Sequence, residues 1–390
     1  MPNTPIETQL QAFDRAILTG FVRQSLNSET LEIDEWHVQP LHNATGIATG
    51  GVYRVAGVGR EQDGGREWSL ILKVVRLTQT GRIAGEDMAH ALYWKREALA
   101  YQSDLLADLP EGLSAPRCFR VVEREGEMLW LWLEDVRDSY GWRWPLELYV
   151  QAARLLGHFN GAYLTTRPMP EYPWLTGDGS LRAVLEAYVG LRAVVRDPHL
   201  WQHPLLRSAF PVPLADRLVR LWDDRGRLLD VFERLPQTLC HLDAWRGNLF
   251  APRGTDGGEQ MVLLDWAYVG RGTVGTGAGD LAGASYGMLG IEECDPRVFA
   301  DAVFENYLHG LRAVGWQGDR RVVRFAFTIM AALKYGCLLP WLHDVWDESR
   351  YGLWECRVGH SMDDFVHHAA RWVYYLLDLA DEARGLVDEI

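Results

Sequence analysis

The sequence predicts an α+β protein of two lobes, the first rich in strands and the second mainly helical. Three observations carry this. The first third alternates short apolar runs with Gly-rich and polar turns, with one helical stretch among them. From Pro145 onward, apolar positions recur at helical spacing. One pair of short apolar strands bearing polar residues interrupts those helices, between Thr238 and Gly272. At 390 residues, 48% of them hydrophobic, the chain can bury a large core, and lobes of 1–135 and 136–390 are expected.

Taken in order, Leu10, Phe13, Ile17, Phe21 and Leu26 predict a leading amphipathic helix over Glu7–Asn27 that packs on the lobe after it. Trp36–Leu41 reads as the first strand. A Gly/Thr-rich turn with Gly46, Thr49, Gly50 and Gly51 then runs into the strand Val52–Val55. A strand–glycine turn–strand unit lets backbone N–H groups approach phosphates without obstruction from Cβ, although the same glycines suit a plain hairpin. Trp68–Arg76 is the next strand, and Lys73 lies in its apolar centre. Glu86–Leu109 reads as a helix with Glu97 near its middle. Pro116–Val122 and Glu127–Val136 form a hairpin whose second strand stops at Glu134–Asp135. Trp130 and Trp132 on that strand read as core. Helices are expected at Glu147–Leu164, Leu181–Val195, Leu214–Leu235, Pro296–Val314, Arg320–Leu339 and Met362–Ala383.

Composition narrows the function classes. A formal net charge of −14 disfavours a nucleic-acid partner and leaves room for cationic substrates. No uninterrupted apolar stretch reaches about 18 residues, so no membrane partner is expected, and the first residues lack a signal-peptide pattern. Five scattered cysteines without a C-x-x-C pair read as reduced, mostly buried thiols of a cytoplasmic protein, and either a monomer or a homodimer is expected. Only three of the 39 basic residues are lysine (Lys73, Lys95 and Lys334), so a lysine kept inside an apolar run has a specific reason.

The chemistry concentrates in TLCHLDAWRGNLF, Thr238–Phe250, and VLLDWAYVGRG, Val262–Gly272. Phosphoryl transfer needs a carboxylate to orient the attacking hydroxyl, and an amide and a second carboxylate to hold Mg²⁺ on nucleotide phosphates. Asp243, Asn248 and Asp265 supply those groups in that order, and with only six Asn in the chain a chance Asn at this spacing is improbable. Asp243 is thus the candidate catalytic carboxylate, Asn248 and Asp265 the candidate metal ligands, and Lys73 the cation for the α/β-phosphates. The alternative for Lys73 is an exposed edge-strand lysine. His241 reads as a structural residue bonded to backbone. Arg246 admits two readings, a cation on the transferring phosphoryl group or a structural salt bridge. No His cluster supports a His/Asp metal hydrolase. Gly270–Gly279 reads as a mobile loop over the cleft. Pro340–Asp364, with its tryptophans and carboxylates, reads as an acceptor surface or as a packed helical hairpin.

HLDAWRGN followed by LLDW and then GDLA, Gly279–Ala282, resembles the aminoglycoside phosphotransferase family, which also includes choline-type and sugar-type small-molecule kinases. Two positions depart from its pattern: Leu242 stands where glycine is more usual, and Ala267 where an acidic residue is common. The resemblance implies a bilobal protein-kinase-like fold and a Lys73–Glu97 pair, with Glu86 or Asp87 as alternative partners. It further implies a lobe connector at Glu134–Asp135 whose backbone reads the base, and a supporting role for Asp280. The implied reaction moves the γ-phosphate of ATP or GTP, with Mg²⁺, to a hydroxyl of an antibiotic. The alternatives are a metabolic sugar or amino alcohol as acceptor, or a pseudokinase that only binds nucleotide. No A-P-E element follows Asp265 to build a peptide platform.

Overall fold

Strand pairing in the first third follows from its period-two burial. In the computed structural model, which describes residues 6–42, 48–62, 64–77, 87–187, 191–210, 214–252, 260–337, 339 and 341–390, two short helices, α1 (Ile6–Gln11) and α2 (Arg15–Leu26), precede the sheet. The single leading helix expected from the sequence is divided at Asp14, whose carboxylate accepts the backbone N–H of Ala16 at 2.8 Å and caps α2. Strands β1 (Glu32–His42), β2 (Thr49–Glu61) and β3 (Gly64–Arg76) are followed by α3 (Arg96–Gln102) and β4 (Leu113–Ser114). Then come β5 (Cys118–Arg124) and β6 (Met128–Glu134). The five-stranded sheet has the order β1-β2-β3-β6-β5, antiparallel throughout.

Alternation sorts its side chains. Leu70, Leu72, Val74, Trp130 and Trp132 point to the face covered by α1 and α2, where Phe13 and Phe21 pack on Trp132. Both tryptophans are core, as read from the sequence. Val75, Leu129, Leu131 and Leu133 point the other way, toward Ala98 of α3. Lys73 lies between Leu72 and Val74 and therefore shares that second face.

Helix α3 is shorter than the stretch expected from Glu86, a residue outside the described set. The carbonyls of Met88, His90 and Ala91 accept from the Arg96 guanidinium. A backbone bonded to a side chain in this way forms turns before Arg96 in place of a continued helix.

The second lobe begins with α4 (Leu146–Thr165), α5 (Ser180–Ala187), α6 (Leu191–Arg196), α7 (Pro204–Ala209) and α8 (Ala215–Phe232). Two small sheets follow. Strands β7 (Gln237–Cys240) and β10 (Gly270–Thr273) pair antiparallel, while β8 (Leu249–Phe250) pairs with β9 (Met261–Leu263), which also joins β4. Helices α9 (Thr276–Gly287), α10 (Pro296–Ala313) and α11 (Arg320–Ile329) come next, and α11 widens into a π-turn segment, Met330–Tyr335. The chain closes with α12 (Trp341–Asp344), α13 (Tyr351–Val358) and α14 (Met362–Leu386). One large apolar core joins these helices, while the sheet of the first lobe has its own two clusters.

The glycine run Gly270–Gly279 is not a loop over the cleft. It forms β10 and the buried first turns of α9. Its glycines are needed for close approach: a Cβ on Gly270 would lie 2.3 Å from the Thr176 backbone nitrogen, and one on Gly279 would lie 2.6 Å from Met330 Cβ. Among the described residues, no helix is long and apolar enough to cross a membrane.

Candidate active site

Two short strand pairs hold the polar loops side by side. The loop after β7 carries His241, Asp243 and Asn248, and the loop after β9 carries Asp265. The Leu264 N–H donates to Asn248 O at 2.8 Å, and His241 Nε2 donates to Leu264 O at 2.9 Å, so the loops are bonded to each other twice. His241 also meets the Trp266 ring edge-on. Burial keeps its imidazole neutral, with the pKa lowered to about 4.

Both loops contain a residue in the left-handed region, Leu242 at φ +65° and Asp265 at φ +60°. For an L-residue this conformation costs about 1–2 kcal/mol. It accounts for the usual glycine at the middle of the H-x-D triplet. Here Leu242 adopts the strained conformation while burying its side chain.

Asp243 is held at both carboxylate oxygens. Asn248 Nδ2 donates to Oδ2 at 2.9 Å, and Lys334 Nζ lies 3.4 Å from Oδ1. Lys334 also donates to Asp280 Oδ1 at 2.7 Å and to Leu242 O at 3.3 Å. Tyr335 OH donates to the same Asp280 oxygen at 2.9 Å. Burial pushes the Asp280 carboxyl up to about 6, against the pull of Lys334. Asp280 is thus bonded within the second lobe by Lys334 and Tyr335.

Across the cleft, Lys73 Nζ lies 2.6 Å from Glu97 Oε2 and 2.9 Å from Asp265 Oδ1. Lys73 is buried beside α3 and not on an exposed edge, and its partner is Glu97, not Asp87. Burial works against the ammonium charge, but Asp265 and Glu97 outweigh it and raise its pKa. Burial pushes Glu97 up to about 7, whereas Lys73 holds Asp265 below the usual carboxylate range against the same burial. The Asp265 side chain keeps one third of its surface exposed, so the carboxylate can still be reached from the cleft.

Arg96, next to Glu97, is fully buried and spends all its donors on backbone. Nε donates to Trp174 O, Nη1 to Ala91 O and Ala267 O, and Nη2 to Met88 O and His90 O, at 2.7–3.1 Å. One guanidinium thus joins α3, the turns before it, the second lobe at Trp174, and the Asp265 loop. Burial lowers its pKa to about 10.

No protein-family model matches the chain, and no curated protein matches it. Solved structures do. An amicoumacin kinase bound to AMP-PNP, Ca²⁺ and amicoumacin aligns over 96% of this chain and 96% of its own, at 13% identity and a TM-score of 0.51. A microcompartment-associated aminopropanol kinase aligns over 95% and 98%, at 14% identity and a TM-score of 0.52. The fold is protein-kinase-like.

Within this kinase-like fold the remaining expected site residues separate. Arg246 takes the structural reading. Its guanidinium is buried 2.8 Å from Asp138 Oδ2, donates to Trp142 O and Leu249 O, and lies over the Trp144 ring at 4.1 Å. Asp138 also accepts the Ala251 N–H, so the pair fastens the lobe connector to the end of the Asp243 loop. The Asp135 carboxylate pairs with Arg54 and Arg137, and Glu134 Oε2 accepts the Arg117 N–H. The Asp135 side chain is thus committed to ion pairs, while Glu134 stays exposed. Thr49, Gly50 and Gly51 begin β2, and Gly51, at φ +143°, lies opposite Val74. Gly46 is outside the described residues.

In the C-terminal surface, Asp344 is taken by Arg350 and the Trp354 indole, Glu355 by the Met362 N–H, and Asp364 by Ser361. Trp341 and Trp354 are core, and Trp346 stacks on His199. Two of the three tryptophans thus pack as in a helical hairpin, while Asp347, Glu348, Glu355, Asp363 and Asp364 stay exposed on its surface. Of the five cysteines, Cys240 and Cys337 are buried, Cys118 and Cys294 half-buried, and Cys356 exposed. Sequence reasoning assigned no role to Lys334 or Arg96. For Lys334 the rarity of lysine was a signal. For Arg96 there was none, because its acceptors are backbone carbonyls.

Proposed function

We propose that this chain is a phosphotransferase that moves the γ-phosphate of ATP or GTP to a hydroxyl of a small molecule. One observation carries the reading. The Asp243–Asn248 loop is bonded directly to the Asp265 loop, and Asp265 in turn meets the buried Lys73–Glu97 pair from the other lobe.

In this reading the Asp243 carboxylate, aimed by Asn248 and exposed over a quarter of its surface, accepts or orients the acceptor's hydroxyl proton. The acceptor oxygen forms a bond to the γ-phosphorus, the γ-phosphorus–bridging oxygen bond breaks, and the nucleoside diphosphate leaves with that electron pair. Lys73 offers its ammonium to the α/β-phosphates, and Glu97 holds it in place. The donor set fits a divalent cation of the Mg²⁺ type. Asn248 Nδ2 is spent on Asp243, which leaves its Oδ1 as the atom that would bind a metal, and the Asp265 carboxylate remains reachable. No cluster of three or more His, Cys, Asp or Glu able to hold a metal occurs among the described residues, so phosphate oxygens and water would complete the coordination. When bound, such a cation neutralises phosphate charge as it shifts to the leaving group.

The acceptor is proposed to be an aminoglycoside or another sugar- or nucleoside-containing antibiotic, with a metabolic sugar or amino alcohol as the second reading. The acidic surface, at net charge −14, favours an amine-bearing acceptor in either case. The neighbours named for amicoumacin and for aminopropanol agree with both. The test is diphosphate release from Mg·ATP and Mg·GTP across a panel of antibiotics, amino alcohols and sugars. Stimulation by at least one hydroxylated acceptor is expected. Tight nucleotide binding with no turnover on any acceptor or on water would indicate a pseudokinase.

A further inference from the structure

We infer that Lys334 is a positioning residue for phosphoryl transfer, holding the Asp243 carboxylate in its working orientation from a distant helix. The inference rests on the phosphotransferase reading above and concerns a residue outside both motif loops.

An ammonium has three donors. Lys334 has three acceptors in reach, Asp243 Oδ1 at 3.4 Å, Leu242 O at 3.3 Å and Asp280 Oδ1 at 2.7 Å. Two of them belong to the triplet that bears the catalytic carboxylate. Asn248 holds Oδ2 of Asp243, so Lys334 supplies the hold on the other oxygen, and the carboxylate plane is set from both sides. The Leu242 contact acts on the same geometry, because Leu242, in the left-handed backbone conformation, is the residue directly before Asp243.

The helix is built for this placement. Lys334 lies in the π-turn segment Met330–Tyr335, and wide turns of this kind occur frequently at functional sites. The consecutive residues Lys334 and Tyr335 both reach Asp280 Oδ1. Helix α9 admits the segment through Gly283, where a Cβ would stand 2.1 Å from the Tyr335 ring. The side chain is 13% exposed, so it is no solvated surface lysine. A triphosphate brought to Asp243 adds negative charge beside two carboxylates, and Lys334 is the cation that touches both of them.

The competing explanation is structural: Lys334 does no more than neutralise the buried Asp280. D280N and K334M/D280N separate the two, since neither has a charged residue 280 and only the first keeps the ammonium beside Asp243. Three quantities are read on each protein: the melting temperature, calorimetric affinity for Mg·AMP-PNP, and ADP release from Mg·ATP with water or the best acceptor. Positioning predicts that the double variant folds, binds nucleotide within about threefold of D280N, and turns over on the order of 10²-fold more slowly, the loss expected of a misplaced reacting group. Equal turnover in the two variants would overturn the inference and leave Lys334 as a counter-ion. If the unmodified protein released no ADP on any acceptor or on water, the phosphotransferase reading itself would fall, and the positioning role with it.

Discussion

His241 shows how one buried side chain ties the candidate site to pH. Its Nε2–H donates to Leu264 O, and Nδ1 is buried without a hydrogen-bond partner among the described residues. Protonation would place a charged N–H where nothing accepts it. The folded pKa near 4 lies below the ordinary 6.5, so between those values the unfolded chain binds the proton more readily. Stability tied to this residue is therefore complete above pH 6.5 and is lost as the pH falls toward 4. Between pH 7 and pH 5 the loss is about 2 kcal/mol. The variant H241Q lacks the titrating group, so urea unfolding of both proteins at the two pH values should show its stability deficit shrinking by that amount at pH 5. A constant deficit would mean that the imidazole titrates in the fold as it does in the unfolded chain. Arg96 supports a second prediction. R96K keeps the charge but has three donors for five carbonyls, and each buried carbonyl left unmet costs about 1–3 kcal/mol. Denaturant titration should show a loss of about 3 kcal/mol, and affinity for Mg·nucleotide should fall because Ala267, two residues after Asp265, is released. Unchanged affinity would detach the clamp from the Asp265 loop.

At the scale of elements, the site depends on how closely α9 and the π-turn segment approach. Gly279 and Gly283 are the points of contact, facing Met330 and Tyr335. G283A must displace the Tyr335 ring and with it the bond to Asp280. Overpacking of this kind costs about 1–3 kcal/mol. A lowered melting temperature with reduced turnover is expected, and wild-type values for both would show that the segment adapts freely. The same elements mark where sequence reasoning reached and where it stopped. Strands β2, β3, β5 and β6 and the long helices were legible because their burial periods are local. Gly270–Gly279 was misread as a loop because glycine signals either turning or close approach, and only the packed partners Thr176 and Met330 decide between them. The helix around Glu97 was drawn too long because Arg96 takes the carbonyls that a longer helix would use.

For the whole molecule, two lobes meet at one set of polar side chains: Lys73 and Glu97 from the first, Asp243, Asn248 and Asp265 from the second. Those five were readable because four lie in local motifs or apolar runs and the fifth follows from a resemblance in fold. Lys334 contacts Asp243 across 91 positions of sequence, and no local pattern encodes such a pairing. The central claim is that Asp243 serves transfer and not nucleotide binding. D243N keeps the size and the lobes' contacts with nucleotide but removes the carboxylate. Measured on one preparation, its Kd for Mg·AMP-PNP should stay within about threefold of wild type while kcat falls about 10²- to 10⁴-fold, the usual contribution of a general base. A D243N protein retaining more than about a tenth of wild-type kcat would contradict the account.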